Sequence, residues 1–160
     1  HTNILGIFQI DDNQRAARHK GNIKALTEAN ILYNPDSVIS FHTEDRDTKP
    51  TAMIEDYIKS HIKMDAIVCY NDQIANEIIK VLSKNGIRVP EDVSVTGYDN
   101  SIMANAGTVK ITTVSHPKEY LGEMAAKLLL EKIQGTQDKE SRVPRVVAPE
   151  LILGESTRER

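Results

Sequence analysis

The chain of 160 residues contains no tryptophan and a single cysteine, Cys69. One cysteine cannot form a disulfide within the chain, and its position in an apolar run predicts a buried thiol in a reducing compartment. No apolar run approaches the roughly 18 residues that a membrane span needs, and no signal peptide opens the sequence. We therefore expect a cytoplasmic protein without a membrane partner.

The chain also lacks an excess of positive charge. Its 20 lysines and arginines face 23 acidic residues, which gives a formal net charge of −3. A chain with this balance is not expected to hold a nucleic-acid backbone by itself. With 39% apolar and 27% charged residues, the composition is typical of one globular domain with a substantial core.

Sequence motifs of common enzyme classes are missing as well. The chain contains no GxSxG elbow, P-loop or GxGxxG motif. Its five histidines are scattered, and none pairs with another histidine or with Cys69 at a spacing that suits zinc. We therefore expect a binding module rather than an enzyme, with no metal or other cofactor.

Residues 66–100 contain the most informative pattern in the sequence. An apolar run at residues 66–69 predicts a strand buried on both faces, and residues 93–96 predict another strand. Between them, apolar side chains recur at helical spacing, and Gly86 followed by Pro90 provides a stop. The recurring side chains are Ile74, Ile78, Ile79 and Leu82. A connection of this length is nearly always a right-handed crossover between parallel strands.

Such a crossover brings two polar residues to one edge of the sheet. Asn71 follows the first of these strands, and Asp99 follows the second. Open α/β sheets bind ligands at the carboxyl ends of their strands. An amide and a carboxylate at this edge suit a ligand rich in hydroxyl groups. Taken singly, Asn71 serves equally well as a helix cap, and Asp99 as the start of a turn.

The rest of the sequence continues the alternation of strands and helices. Further strands are predicted at residues 4–10, 38–41 and 109–114, with one strand or two at 143–153. Further helices are predicted at residues 14–30, 50–62 and 117–135. This alternation predicts the α/β class, with a three-layer, doubly wound parallel sheet.

Three short sequence motifs show a family resemblance: CYND at residues 69–72, VPEDVSV at 89–95 and GYDN at 97–100. In this order and at this spacing they resemble the sugar-responsive repressors of the LacI/GalR family. The resemblance covers nearly the whole chain and implies a fold like that of periplasmic sugar-binding proteins. Within the family, CYND followed by VPEDVSVTGYDNS is most similar to the arabinose-responsive repressors, whose DNA-binding head is of the GntR type.

Family members bind their sugar between two α/β lobes, and the resemblance implies that this chain corresponds to the second lobe. Residues 1–116 would form that lobe, residues 117–135 would be a helix of the first lobe, and residues 136–160 would return to the second. Helix 117–135 would then lack its usual sheet here. Its apolar stripe would be covered by its own lobe, by a second copy or by nothing.

The resemblance also implies the residues that bind the ligand. Arg18, Asn71 and Asp99 match the family's arginine, amide and carboxylate, which bind sugar hydroxyls through charge-assisted hydrogen bonds. His116 matches a polar residue of the crossing segment that faces the ligand. The family often places an aromatic ring under the sugar, and here Phe41 is the candidate, with the neighbouring histidine as the alternative.

The partners implied are a sugar effector, a second copy of the chain in a homodimer, and DNA bound only through an N-terminal domain outside these 160 residues. The helix at residues 72–85 and the loop at 101–107, which is rich in small residues, are the candidates for this lobe's share of the dimer contact. Packing of their apolar residues on the sheet is the simpler alternative.

Two alternatives to the repressor remain open. Asp11 and Asp12 follow one strand and Asp72 follows another, as in magnesium-binding phosphoacceptor receiver domains, and Lys110 is available as the lysine of such a site. The stretch VPEDVSVTGYDN has no role in a receiver, however. A periplasmic sugar-binding protein shares the fold and the cleft, whereas the VPEDVSV link favours a repressor.

Overall fold

The structure, a computed structural model, describes residues 1–136 and 146–158. Within them, strands and α-helices alternate along most of the chain. The strands are β1 (Ile4–Gln9), β2 (Val38–Phe41), β3 (Ala66–Cys69), β4 (Ser94–Thr96), β5 (Thr113–Ser115) and β6 (Glu150–Ile152). The α-helices are α1 (Asn13–Glu28), α2 (Lys49–Lys59), α3 (Asp72–Lys84) and α4 (Lys118–Gln134). Short 3₁₀ turns precede β2 and α2 and follow β4.

The first four strands form one parallel sheet in the order β2-β1-β3-β4. In its middle, Ile7 pairs with Ile39 on one side and with Cys69 on the other. An isolated parallel bridge between Thr96 and Thr112 continues this sheet past β4. β5 and β6 form a separate antiparallel pair. Because the strand order reverses between β1 and β3, the sheet has a topological switch point there.

Helices lie on both faces of the parallel sheet. Since crossovers are right-handed, α1, which leads outward to β2, lies on the face opposite α2 and α3, which lead the other way. α2 and α3 pack against each other, and the main core lies between them and the sheet. Its fully buried side chains include Leu5, Ile39, Ile54, Ile67, Ile78 and Leu82.

On the opposite face, α1 covers only part of the sheet. Leu26 is buried beneath it. The small residues Ala17, Gly21 and Ala25 border a groove of about 540 Å³ between α1 and the sheet, with Val68 in its wall. One helix is too narrow to cover this face of the sheet, so the groove remains open in the described chain.

The helix α4 differs from the other three long helices. None of its residues is buried by the described part of the chain. Leu129, Leu130 and Ile133 are 58%, 56% and 72% exposed. The helix ends at Gly135, whose left-handed backbone (φ 67°) suits a residue without a β-carbon. Across residues 1–136 and 146–158, no helix has the length and apolar character required to traverse a bilayer.

The predicted fold class is confirmed by this parallel sheet, while three element boundaries are corrected. β5 begins at Thr113 rather than at residue 109, because the preceding segment closes the loop after β4 and buries Ile111 in the core. α2 ends at Lys59, since the chain turns at His61 with φ 53°. Of the strand region predicted at 143–153, residues 143–145 lie outside the described residues, and pairing is seen only in β6.

Candidate functional site

The parallel strands end together at one edge of the sheet, beside the switch point. The segments that leave this edge carry Arg18 in the second turn of α1, Tyr70 and Asn71 after β3, and Tyr98 and Asp99 after β4. Four of these side chains come together. We call Arg18, Tyr70, Tyr98 and Asp99 the edge cluster.

Arg18 lies at the centre of the edge cluster. Its Nη1 donates to the carbonyl oxygen of Tyr70 at 2.7 Å, and its Nη2 lies 3.3 Å from Oδ1 of Asp99 in an ion pair. The guanidinium carbon is 4.6 Å from the ring centroid of Tyr70 and 3.9 Å from that of Tyr98. Cation–π contacts of this kind contribute about 0.5–2 kcal/mol, depending on desolvation. With 15% of its side chain exposed, Arg18 is a rigidly held cation rather than a solvated one.

Asp99 belongs to a loop with an unusual backbone. Its φ is 93° and that of Asn100 is 43°, both in the region that residues with a β-carbon rarely adopt. The N–H of Asp99 donates to the carbonyl oxygen of Val114 at 3.0 Å, and Nζ of Lys118 donates to the carbonyl oxygen of Asp99 at 2.7 Å. The Asp99 side chain is 36% exposed, so its carboxylate keeps room to accept further hydrogen bonds.

Asn71 is the N-cap of α3. Its Oδ1 accepts a hydrogen bond from the backbone N–H of Ile74 at 3.0 Å, which is the usual way to satisfy an unpaired donor at a helix start. No hydrogen bond from its amide nitrogen to another described residue is present. Asn71 therefore acts as the cap that the sequence suggests, while two N–H donors remain for a ligand.

The predicted ligand residue His116 lies beside the edge cluster. Its ring centroid is 5.1 Å from that of Tyr98, which also contacts the guanidinium of Arg18. A hollow of about 380 Å³ opens next to it, with Asn100, Lys118 and Glu119 also in its wall. This size falls within the usual range of small-molecule sites, roughly 300–1,000 Å³.

Phe41 does not have an open ring face. It is fully buried and meets the ring of Tyr70 edge-on, with a centroid distance of 6.2 Å. Phe41 is the last residue of β2 and its side chain points into the core. The expectation that its ring lies under the ligand is therefore wrong. The neighbouring His42 is exposed. Tyr98, rather than Phe41, supplies the half-exposed aromatic ring at this edge.

The tyrosines of the edge cluster are functional candidates that the sequence reasoning missed. Tyr70 precedes Asn71 in CYND, and Tyr98 precedes Asp99 in GYDN. The hydroxyl of Tyr70 donates to the carboxylate of Asp12, the N-cap residue of α1. A tyrosine followed by a polar residue occurs after two neighbouring strands, and this repeated pair could have identified both tyrosines from the sequence.

The acidic residues of the receiver alternative are engaged elsewhere. Asp11 accepts hydrogen bonds from the backbone N–H of Thr43, and Asp12 caps α1. The carboxylate of Asp72 is completely buried and hydrogen-bonded within the protein. Among residues 1–136 and 146–158, no three acidic, histidine or cysteine side chains are grouped to hold a metal ion. The positions of these carboxylates therefore do not match the shared magnesium site of a receiver.

Cys69 is not suited to covalent chemistry. The thiol is buried in the main core at the end of β3. Burial, assisted by the negative charge of Asp72, raises the pKa of Cys69 far above its ordinary value. Since the thiolate is the reactive form, this side chain behaves as an apolar core residue.

The fold is a parallel α/β sheet, and the edge cluster brings a fixed cation, a carboxylate and an aromatic ring together at its carboxyl edge. The model of one protein family, the periplasmic binding protein-like domain, matches residues 1–157. The chain belongs to this family.

Its curated relatives include two arabinose metabolism transcriptional repressors. The repressor of Halalkalibacterium halodurans is 40% identical over 99% of this chain, and that of Geobacillus stearothermophilus is 35% identical over 99%. In both comparisons the match spans 44% of the relative. The chain thus spans less than half the length of these relatives.

Solved structures show the same likeness. The transcriptional regulator CelR in complex with cellobiose superposes with a TM-score of 0.83 at 29% identity, over 98% of this chain and 47% of that one. A LacI family regulator of Enterococcus faecium with bound ribose superposes with a TM-score of 0.77 at 26% identity, over 98% of this chain and 57% of the other. The resemblance to LacI-type repressors, predicted from three short sequence motifs, is confirmed.

Proposed function

We propose that this chain is the second lobe of the effector-binding region of a LacI/GalR-type transcriptional repressor, and that it binds a sugar against a first lobe. The observation that carries the proposal is the edge cluster, with Arg18 held between two tyrosine rings and paired with Asp99. A partly exposed ion pair of this kind adds only about 0–1 kcal/mol to stability. Its rigid geometry is better explained by recognition of hydroxyl groups, which the guanidinium donates to and the carboxylate accepts from.

A pentose, L-arabinose in the first instance, is the proposed effector. Two relatives that match nearly the whole chain are arabinose metabolism repressors. At the edge cluster, Arg18 and Asp99 would contact adjacent hydroxyls, Asn71 would add donors from its amide nitrogen, and His116 would face the ligand from the crossing segment. Tyr98 is half-exposed and would add an apolar contact through the part of its ring that Arg18 and His116 leave uncovered.

The exposed helix supports the division into two lobes. We assign residues 1–116 and 136–160 to one lobe and residues 117–135 to the surface of the other. The helix α4 follows β5 of the antiparallel pair and has no buried residue in the described chain. In a two-lobed protein its apolar side chains would pack on the first lobe. A monodisperse monomer of this chain that binds no hydrophobic dye would count against the assignment.

Regulation would follow from closure of the two lobes around the sugar. Ligand that binds the closed arrangement more tightly shifts the population toward it and alters how two subunits present their DNA-binding domains. The dimer contact of this lobe is assigned to α3 and residues 101–107, where Ile102 is 86% exposed. DNA would be bound in the cytoplasm by a separate domain, and this lobe would be a binding module rather than a catalyst.

Calorimetry on the intact protein tests the proposal. We expect L-arabinose to bind more tightly than D-ribose or D-glucose, and Arg18→Ala to weaken binding by about 10- to 100-fold, the loss typical of a charged hydrogen bond. Arg88→Ala is the matched control, because Arg88 forms an ion pair with Asp92 on the surface and is 70% exposed. Isolated residues 1–160 hold half a cleft and should bind the sugar weakly or not at all.

Two results would contradict the proposal. The first is an Arg18→Ala protein that binds L-arabinose as tightly as the unmodified protein. The second is an intact protein that binds sugar but no DNA, which would favour the periplasmic sugar-binding alternative, since that class shares this fold.

A further inference from the structure

Asp72 is a completely buried carboxylate that is not a member of the edge cluster. It is the first residue of α3. Its Oδ2 accepts a hydrogen bond from the backbone N–H of Ser101 at 2.6 Å, and its Oδ1 accepts one from the hydroxyl of Thr113 at 2.5 Å. Its own backbone N–H donates to the carbonyl oxygen of Tyr98 at 3.1 Å. One residue thus connects α3, the loop after β4 and the first residue of β5.

These hydrogen bonds flank the two residues with left-handed backbones. Tyr98 immediately precedes Asp99 and Asn100, and Ser101 immediately follows them. The hydroxyl of Thr113 also accepts a hydrogen bond from the N–H of Asn100 at 3.3 Å. A positive φ at a residue with a β-carbon is unfavourable and persists only where surrounding contacts impose it. The backbone N–H of Asp72 binds the residue before this pair, and its carboxylate binds the residue after it, in addition to the bonds that Asp99 makes with Val114 and Lys118.

The space around Asp72 is matched to its side chain. A β-carbon on Gly97 would overlap the Asp72 carboxylate. The helix that carries Asp72 is packed into the core, with Ile74 and Ala75 buried. Gly97 therefore leaves the carboxylate the space that a larger residue would take.

We propose that Asp72 is a positioning residue, which holds Asp99 in the orientation that meets Arg18 and the ligand. The charge-assisted hydrogen bonds from Ser101 and Thr113 keep the loop closed against α3 and β5, so that the Asp99 carboxylate arrives at the edge cluster already oriented. The part of the inference that concerns the ligand rests on the proposed function. The part that concerns the order of the loop can be measured without any ligand.

The test compares four variants of the intact protein. Asp72→Asn removes the charge and replaces one of the two acceptor oxygens by an N–H₂ group, so the side chain can no longer accept from both Ser101 and Thr113 through separate oxygens. Thr113→Val removes the hydroxyl at nearly constant shape, and Thr113→Ser keeps it. Asp65→Asn is the control, because Asp65 is another buried residue whose carboxylate accepts backbone N–H bonds from Thr2 and Asn3 at the opposite end of β3.

Two readouts are measured where every variant is folded: amide hydrogen exchange at residues 99–101 and the affinity for L-arabinose. We expect Asp72→Asn to speed exchange at these amides and to weaken affinity, each by about tenfold or more. Thr113→Val should show smaller changes of the same kind, and Thr113→Ser should stay within about twofold of the unmodified protein. Asp65→Asn should lower the melting temperature and leave both readouts unchanged.

The inference fails if Asp72→Asn lowers the melting temperature while exchange at residues 99–101 keeps its original rate. It also fails if Asp65→Asn changes this exchange as strongly as Asp72→Asn does, because that would show a general loss of stability. If Asp72→Asn does not fold, the difference between Thr113→Val and Thr113→Ser decides. If the unmodified protein does not bind L-arabinose, the proposed effector is wrong, and hydrogen exchange still decides the role of Asp72.

Discussion

The helices α3 and α4 are both rich in isoleucine and leucine, yet they lie in opposite environments. Eight of the 13 residues of α3 are buried. None of the 17 residues of α4 is buried by the described chain. The comparison shows that apolar residues within a helical stretch predict a helix but do not identify the surface on which it packs.

The difference arises from the connections at the two ends of each helix. α3 joins β3 to β4, two paired strands of the parallel sheet, and a right-handed crossover brings its apolar side onto that sheet. α4 follows β5, which pairs antiparallel with β6 instead of leading to a neighbouring parallel strand. Nothing in the chain topology forces α4 back onto the core.

The largest expected effect comes from truncating an apolar side chain in each helix. Ile78→Ala in α3 should lower the free energy of unfolding by about 2–5 kcal/mol, because Ile78 is fully buried and the change leaves a cavity. Leu130→Ala in α4 should change it by less than about 0.5 kcal/mol, since Leu130 is exposed. Urea unfolding of residues 1–160, followed by circular dichroism, measures both values.

The same pair sharpens the proposed two-lobe arrangement. In the intact protein, Leu130→Ala should become costly if the first lobe covers α4. Equal and small effects of Leu130→Ala in both contexts would show that α4 stays exposed, and the assignment of residues 117–135 would then be wrong.

An intermediate effect is expected from Gly→Ala substitutions near each helix. Gly97→Ala, beside the start of α3, should destabilise the protein by about 1–3 kcal/mol, because the new methyl group overlaps Asp72 and approaches Ile111 within 3.1 Å. Gly122→Ala within α4 should stabilise it by about 0.5–1 kcal/mol, since no described atom outside the helix lies within 4 Å and alanine favours the helix. Thermal unfolding of both variants gives the two signs. A stabilising Gly97→Ala would mean that the loop after β4 packs less tightly than described.

The third prediction concerns acid sensitivity in the half of the molecule that contains α3. Burial acts to raise the pKa of Asp65, but hydrogen bonds from Asn3 and Thr2 outweigh it and hold the pKa well below its ordinary value. Because the pKa of Asp65 is lower in the folded than in the unfolded protein, its ionised carboxylate stabilises the fold when the pH is above the unfolded-state pKa, near 3.8. This stabilisation is lost as the pH falls toward the folded-state pKa. One such proton changes the free energy of unfolding by at most about 1.4 kcal/mol per pH unit.

Unfolding between pH 2.5 and 7 measures this contribution. Asp65→Asn should be less stable at pH 7 and should lose less stability than the unmodified protein between pH 4 and 2.5. Glu123→Gln in α4 is the comparison variant, and its acid profile should follow that of the unmodified protein, because Glu123 is exposed. Parallel acid profiles for Asp65→Asn and the unmodified protein would show that Asp65 does not set this sensitivity.

Much of the fold could be predicted because its signals are local. The apolar run of β3 and the stripe of α3 appear at the predicted residues, since both are short segments with clear periodicity. The sequence pattern predicts that β5 begins before Thr113, where the structure starts it, because Val109 and Ile111 have the character of strand residues. In the structure these two residues close a loop and pack their side chains in or against the core. Hydrophobic character alone does not distinguish these two uses of an apolar segment.

The candidate site was predictable only in part. Asp99 is selected by its place after a predicted strand as well as by resemblance, whereas Arg18 is selected by resemblance alone. The structure places them 3.3 Å apart although 81 positions separate them in the sequence. Tyr98 was missed and Phe41 was selected instead, because the sequence does not show which ring lies at the edge and which lies in the core. The ligand roles of these residues remain predictions for the binding experiments.

By itself, the sequence determined the alternation of strands and helices, and hence the parallel class of the sheet. It also contains the motifs after β3 and β4 that show the family likeness. The strands and helices could be predicted because each depends on residues close together in the chain. Only the tertiary structure decided that Arg18 lies against the rings of Tyr70 and Tyr98, that Asp72 holds the loop of Asp99, and that the described residues leave α4 exposed. Each of these depends on where distant segments meet, and that is set by how the whole sheet packs rather than by any local pattern.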